Sequence, residues 1–212
     1  MILEHFPVGP LGCNCVILGD EETGEAIVVD PGGETDRILA RLEALGLRCQ
    51  AILHTHTHFD HVAGTGALQE ATGASTMLHE ADLFLYEGLQ MQVDTFGLPF
   101  QVDQPAEVDR FLLDGEGVRA GGIEAGVLHT PGHSPGSLCF VLHDDRPIVL
   151  AGDTLFCGSV GRTDLWGGSM PAMLSSIEDK LLTLPEETLV ISGHGPTTTI
   201  GREKSTNPYL SR

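Results

Sequence analysis

Four short segments of this 212-residue chain carry side chains that suit metal binding. The densest is Thr55-His56-Thr57-His58-Phe59-Asp60-His61, which follows the apolar run Ala51-Ile52-Leu53 directly. Imidazole and carboxylate are donors for zinc, iron or manganese, and the segment holds none of the thiolates of a structural zinc site. In an extended chain alternate side chains share a side, which puts His56, His58 and Asp60 together and turns His61 to the other flank. The plain alternative is a loop that is histidine-rich by chance, and so dense a cluster at a strand end weighs against it.

The second segment, His129-Thr-Pro-Gly-His133-Ser-Pro-Gly-Ser137, is crowded with turn formers and reads as a rigid loop after a strand. His133 stands in the turn itself and is the expected ligand, whereas His129 reads as a strand-end residue. The third, Ile148-Val-Leu-Ala-Gly152-Asp153-Thr154, is a buried strand ending in a carboxylate, which can bridge two cations as a single imidazole nitrogen cannot. The fourth, Val190-Ile-Ser-Gly193-His194-Gly195-Pro196, again runs a strand into a histidine between glycines. Ligands at the ends of several strands along one edge make a rigid site.

The elements that must position these segments alternate between β-like runs and amphipathic helices. Cys15–Leu18 and Ala26–Val29 read as a hairpin, and Ile38, Leu39, Leu42 and Leu45 as a helix stopped by Gly46. Helices are expected over Gly64–Thr72, Glu80–Gln92 and Met173–Leu182, with a loop over Thr95–Gln104. Further strands are expected at Thr76–Leu78, Arg110–Leu113, Ile123–Leu128, Ser137–Leu142 and Thr188–Ile191. Each half has strands first and helices after, with no clean linker, so one α/β domain over residues 1–212 is expected.

Composition excludes some functions. Eleven basic against thirty acidic residues leave a net charge of −19, the reverse of the basic footprint that nucleic acid requires. No apolar run approaches the roughly 18 residues of a membrane span. Met1–His5 shows no secretory pattern, so a cytoplasmic location is expected. Five cysteines, an odd number, argue against a disulfide framework. Cys15, Cys49 and Cys139 read as small core residues.

Together the four segments resemble the signature of the metallo-β-lactamase superfamily, over the stretch from Asn14 to Leu210. The resemblance implies an α/β fold, a four-layer αββα sandwich with its site along the sheet edges. It implies one metal held by His56, His58 and His133 and a second held by Asp60, His61 and His194, with Asp153 bridging. Asp60 and Asp153 are the implied catalytic carboxylates. The implied cofactors are two divalent ions, zinc first, with iron or manganese as alternatives. Such a pair lowers the pKa of a shared water from ~15.7 toward ~7, and one metal also polarises a carbonyl.

Within the superfamily, Gly152–Phe156, Gly158–Asp164, Gly193–Thr199 and Glu203–Leu210 resemble the short-form hydroxyacylglutathione hydrolases (glyoxalase II). The implied substrate is a small hydroxyacyl thioester such as S-lactoylglutathione. Long-form enzymes have a further helical domain that supplies basic residues for glutathione, and those contacts do not carry over here. Arg162, Arg202 and Lys204 are the scarce cations that could bind a substrate carboxylate, with a surface ion pair as the equal alternative. The rival reading is a glutathione persulfide (sulfur) dioxygenase with a single iron on His56, His133 and Asp153, which shares the Gly161-Arg-Thr-Asp164 segment. The β-lactam-hydrolysing branch usually lacks that segment.

Overall fold

The apolar runs of the first half assemble into one sheet and those of the second half into another. The structure, a computed structural model, describes residues 1–99, 102, 106–143 and 146–210. The first sheet holds β1 (Ile2–Val8), β2 (Cys13–Gly19), β3 (Glu25–Val29), β4 (Arg48–Leu53), β5 (Ser75–Leu78) and β6 (Arg110–Phe111), side by side in chain order. β1 to β3 form an antiparallel meander, and β3 to β6 run parallel. Parallel neighbours need crossovers. These are α1 (Thr35–Leu45), then α2 (Phe59–Val62) and α3 (Thr65–Thr72), then α4 (Leu83–Glu87) and α5 (Leu89–Thr95).

The second sheet contains β7 (Gly117–Ala120), β8 (Ile123–His129), β9 (Leu138–His143) and β10 (Pro147–Gly152). A small hairpin of β11 (Leu155–Phe156) and β12 (Ser159–Val160) follows. After α6 (Met170–Ser176) the chain returns as β13 (Leu189–Ser192), parallel to β10, and turns into β14 (Thr198–Thr199) and α7 (Ile200–Thr206).

Three apolar seams give four layers. Leu18, Ile27, Val29 and Leu53 of the first sheet meet Phe140, Leu142, Leu150 and Ile191 of the second. The other face of the first sheet, with Ile17, Val28 and Ile52, is covered by Ile38 and Leu42 of α1 and Leu68 of α3. The other face of the second, with Val149 and Val190, is covered by Met173 of α6 and Ile200 of α7. Strands buried on both faces read as unbroken apolar runs, which is why β2, β4 and β10 stand out in the sequence. Truncating a ring such as Phe140 between the sheets costs about 3–5 kcal/mol.

Two expectations change. Residues 80–92 are not one helix: a 3-10 turn, Glu80–Asp82, leads into α4, and the axis breaks at Gly88 before α5. Glycine weakens a helix by about 1 kcal/mol, and the break lets Leu89 and Val93 pack with Phe59, Leu78 and Tyr86. Edge strand β1 was not foreseen, because its mixed exposure and Pro7 hide the pattern. The loop expected over Thr95–Gln104 is turn and irregular chain at residues 96–99, and the rest lies largely outside the described residues.

The sheets meet along one edge, where the ends of β4, β10 and β13 and the β8–β9 turn come together. Backbone hydrogen bonds join them: Leu138 N to Thr55 O at 2.6 Å, Gly193 N to Gly152 O at 2.8 Å, and Asn14 N to Gly193 O at 2.7 Å.

Candidate metal centre

Beyond β4 the chain stays extended only as far as His58, whose φ and ψ are −67° and 146°. α2 starts at Phe59, so strand alternation ends there. Asp60 and His61 lie on a helical turn: Asp60 lines the same cleft as His58, while the His61 ring comes within 4.0 Å of the His56 ring and does not turn to the other flank as alternation predicts.

Two groups of ligand-type atoms with no residue in common result, overlapped by His56, His61 and Asp153 and by Cys13, Asp30 and His61. In the first, His58 Nδ1 is 2.8 Å and His56 Nε2 is 3.2 Å from His133 Nε2. In the second, His194 Nε2 is 3.1 Å from Asp60 Oδ2 and 3.2 Å from His61 Nε2. Asp153 stands between them. Its Oδ2 is 3.5 Å from His133 Nε2, and its Oδ1 is 3.5 Å from His61 Nε2 and 3.9 Å from His194 Nε2.

These residues fit divalent cations. Nitrogens bound tetrahedrally to one ion at ~2.0–2.1 Å stand ~3.3 Å apart, close to the spacings here. Asp153 Oδ1 is buried and has no hydrogen-bond partner among the described residues. Burial, reinforced by neighbouring imidazoles, pushes His56 well down and His58 to about 3, leaving neutral rings with free lone pairs. In the second group burial opposes charge, yet the anions prevail. Asp60, Asp153 and Asp30, with the Cys13 sulfur close by, hold His61 above its usual value, and Asp60 and Asp153 do the same for His194. Asp60 is held below the usual carboxylate range against its burial by His61 and His194. Without a metal, protons answer a negative field that a cation would answer more directly.

Further side chains orient these groups. His133 Nδ1 lies 2.7 Å from the Arg162 carbonyl, to which it donates, leaving Nε2 for the centre. His61 Nδ1 is 3.0 Å from Asp30 Oδ2, the carboxylate–imidazole pairing common behind metal ligands. Asp30, held at φ +53°, also accepts from Thr55 N at 2.8 Å and Thr55 Oγ1 at 2.6 Å. Cys13 Sγ is 3.3 Å from His61 Nδ1, and burial pushes its thiol up to about 12. Asn14 Nδ2 donates to Ser192 O at 2.9 Å and Gly195 O at 3.0 Å, bracing the turn that carries His194. A Cβ at Gly193 would collide with the Asp153 carboxylate and the His61 ring.

Asp30, Cys13 and Asn14 were missed as contributors. For Asp30 the signal was present: Val29-Asp30-Pro-Gly-Gly33 is a strand running into a turn at an Asp, the arrangement that marked Asp153.

The remaining expected residues are spread out. His129 ends β8, where its Nε2 is 2.9 Å from the Pro135 carbonyl and its ring stacks on His79 at 4.1 Å, apart from both ligand groups. Arg162 lines the cleft, and its half-exposed guanidinium is paired with Asp164 at 2.7 and 2.9 Å. Arg202 and Lys204 lie on α7, Lys204 3.6 Å from Glu186, and neither lines the cleft. The cleft encloses about 170 Å³ and has an apolar wall of Leu11, Phe59, Phe96 and Leu165 facing the ligand groups.

The pattern of the metallo-beta-lactamase superfamily matches residues 8–194. Hydroxyacylglutathione hydrolase GloC of Haemophilus influenzae is 39% identical, over 100% of this chain and 99% of that protein. Among solved structures, the BLEG-1 B3 metallo-beta-lactamase is similar at a TM-score of 0.90 and 36% identity, over 100% of both chains. TTHA1623, solved in a di-iron-bound form, is similar at a TM-score of 0.84 and 42% identity, over 96% of this chain and 98% of that one.

Proposed function

The chain belongs to the metallo-beta-lactamase superfamily, and from that premise we propose that it is a two-metal hydrolase of a small hydroxyacyl thioester, with S-lactoylglutathione as the candidate substrate. The observation that carries this reading is Asp153, whose two oxygens face two different ligand groups. His56, His58 and His133 would hold one cation, Asp60, His61 and His194 the other, and Asp153 would touch both. When bound, the pair supplies an activated water near neutral pH and polarises the acyl carbonyl.

The protein's own groups do the rest. Arg162 O fixes the proton of His133 on Nδ1, and Asp30 does the same for His61, so that both Nε2 atoms face the centre. Leu11, Phe59, Phe96 and Leu165 add apolar surface to the cleft, with Leu11 and Phe96 exposed. A thiol of pKa ~8.5 leaves as thiolate without a strong general acid, whereas an amine leaving group would need one. Asp164 already holds the guanidinium of the one arginine lining the cleft, and no lysine lines it among the described residues. Carboxylate anchoring of glutathione is therefore weak, and a KM toward ~1 mM is expected. The full-length likeness to a hydroxyacylglutathione hydrolase supports the choice of substrate.

A second reading, β-lactam hydrolysis, is favoured by the likeness to BLEG-1. The test is an anaerobic assay of metal-loaded protein on S-lactoylglutathione, beside a β-lactam and, in air, glutathione persulfide with oxygen uptake recorded. Anaerobic thiol release at the highest kcat/KM supports the thioesterase. Faster β-lactam opening would replace it with the second reading. Oxygen uptake on persulfide without thioester cleavage would replace it with a single-iron dioxygenase on His56, His133 and Asp153.

A further inference from the structure

Outside the ligand set, one fully buried carboxylate touches both loops that carry the first group. Asp82 closes the 3-10 turn Glu80–Asp82 and is 0% exposed. It accepts from Thr57 N at 3.2 Å and Ser134 Oγ at 2.7 Å through Oδ2, and from Gly136 N at 2.5 Å through Oδ1. Its backbone carbonyl accepts from Thr57 Oγ1 at 2.9 Å. Thr57 stands between His56 and His58, and Ser134 follows His133.

A carboxylate taken out of water is strongly unfavourable unless its lone pairs are satisfied. Here the donors come from two loops far apart in sequence, and no lysine or arginine pairs with Asp82 among the described residues. A surface acid at a helix start would need none of this. Gly136 leaves room for the contact: a Cβ there would lie 2.7 Å from Asp82 Cγ. From the next helix Gln92, also 0% exposed, accepts from Phe59 N at 3.1 Å and donates to Thr57 O at 3.1 Å, fixing both sides of His58.

We propose that Asp82 is a positioning residue: it locks the His56–His58 loop to the His133 turn and so sets the spacing, and the cation affinity, of that group alone. The second group has further supports in Asp30, at the His61 ring, and Asn14, at the His194 turn; Asp30 also reaches the first group through Thr55, whose hydroxyl lies 3.2 Å from His56 Nδ1. The inference rests on the metal-centre reading above.

The test measures zinc affinity by chelator competition in two backgrounds. His194→Ala cripples the second group and isolates the first, and His58→Ala does the converse. Asp82→Asn should weaken binding about 10–100-fold in the first background, the usual cost of losing a support behind metal ligands, and less than about threefold in the second. Should Asp82→Asn not fold, Ser134→Ala removes one donor and should cost roughly fivefold in the first background only. Equal losses in both backgrounds, as a general loss of stability would give, overturn the inference, as does no loss in the first. A chain with Asp82 intact that binds no zinc in either background overturns the metal-centre reading and this inference with it.

Discussion

His56 and His58 are imidazoles that burial drives toward the neutral form, whereas His61 and His194 lie among carboxylates that draw protons onto them. His56 and His58 offer lone pairs and no charge. The second group offers Asp60 as well, with Asp30 behind it. Their supports differ in the same way. Asp82 and Gln92 hold the first group through the backbone of its loops, while Asp30 touches the His61 ring itself. The halves meet at Asp153 and where the His56 and His61 rings lie 4.0 Å apart, so they should respond unequally to changes in their supports and most nearly together to changes in Asp153.

The largest effect is expected where the halves meet. Asp153→Ala should lower the metal content of both groups and cut kcat/KM by on the order of 10³-fold or more, read by metal analysis and kinetics. Near-native turnover with both metals retained would remove Asp153 from the shared position. Next, His133→Ala should cost more than the ~100-fold typical of a supporting residue, while His129→Ala stays near the parent, since the His129 ring is occupied with His79 and Pro135. The reverse ranking would exchange their roles. Asp30→Asn should weaken zinc binding about 10–100-fold at the second group, where it touches the His61 ring, and less at the first, which it reaches only through Thr55. A loss confined to the first group would break the comparison.

Smaller effects sharpen it. In metal-free protein, NMR titration should find His58 neutral down to about pH 3 and His194 still protonated above the ordinary ~6.5. The two shifts pull stability in opposite directions. The depressed His58 contributes stability that is lost as pH falls from ~6.5 through about 3, because the unfolded chain takes up the proton first. The raised His194 contributes stability present below ~6.5 and lost as pH rises through its folded value. Matching titrations for the two rings would erase the electrostatic contrast. The smallest change is expected from Arg202→Ala with Lys204→Ala: less than about a twofold shift in KM, since Lys204 makes an exposed ion pair and neither residue lines the cleft. A clear rise in KM with kcat unchanged would restore them as substrate contacts.

The candidate ligands stood out in the sequence because His56, Asp153 and His194 come just after strands whose apolar ends break into turns at Leu53, Gly152 and Ser192. Strand periodicity failed at His61, whose ring packs on His56, because helix α2 starts at Phe59, and nothing in Phe59-Asp60-His61-Val62 announces a single helical turn. Asp82 and Gln92 were invisible for a related reason. An acid at a helix start and an amide in a helix ordinarily face water, and only the fold shows that both point inward at backbone groups. Arg162 was read as a cation and turns out to contribute its carbonyl to His133, while its charge goes to Asp164. Backbone roles of this kind leave no mark on residue type.

Anomalous diffraction from metal-loaded crystals, with data on both sides of the metal's absorption edge, tests the two-metal account most directly. It should show two peaks per chain, one among His56, His58 and His133 and one among Asp60, His61 and His194, with an Asp153 oxygen directed at each. A single peak in protein loaded with excess metal, or two peaks of which Asp153 reaches only one, would contradict it.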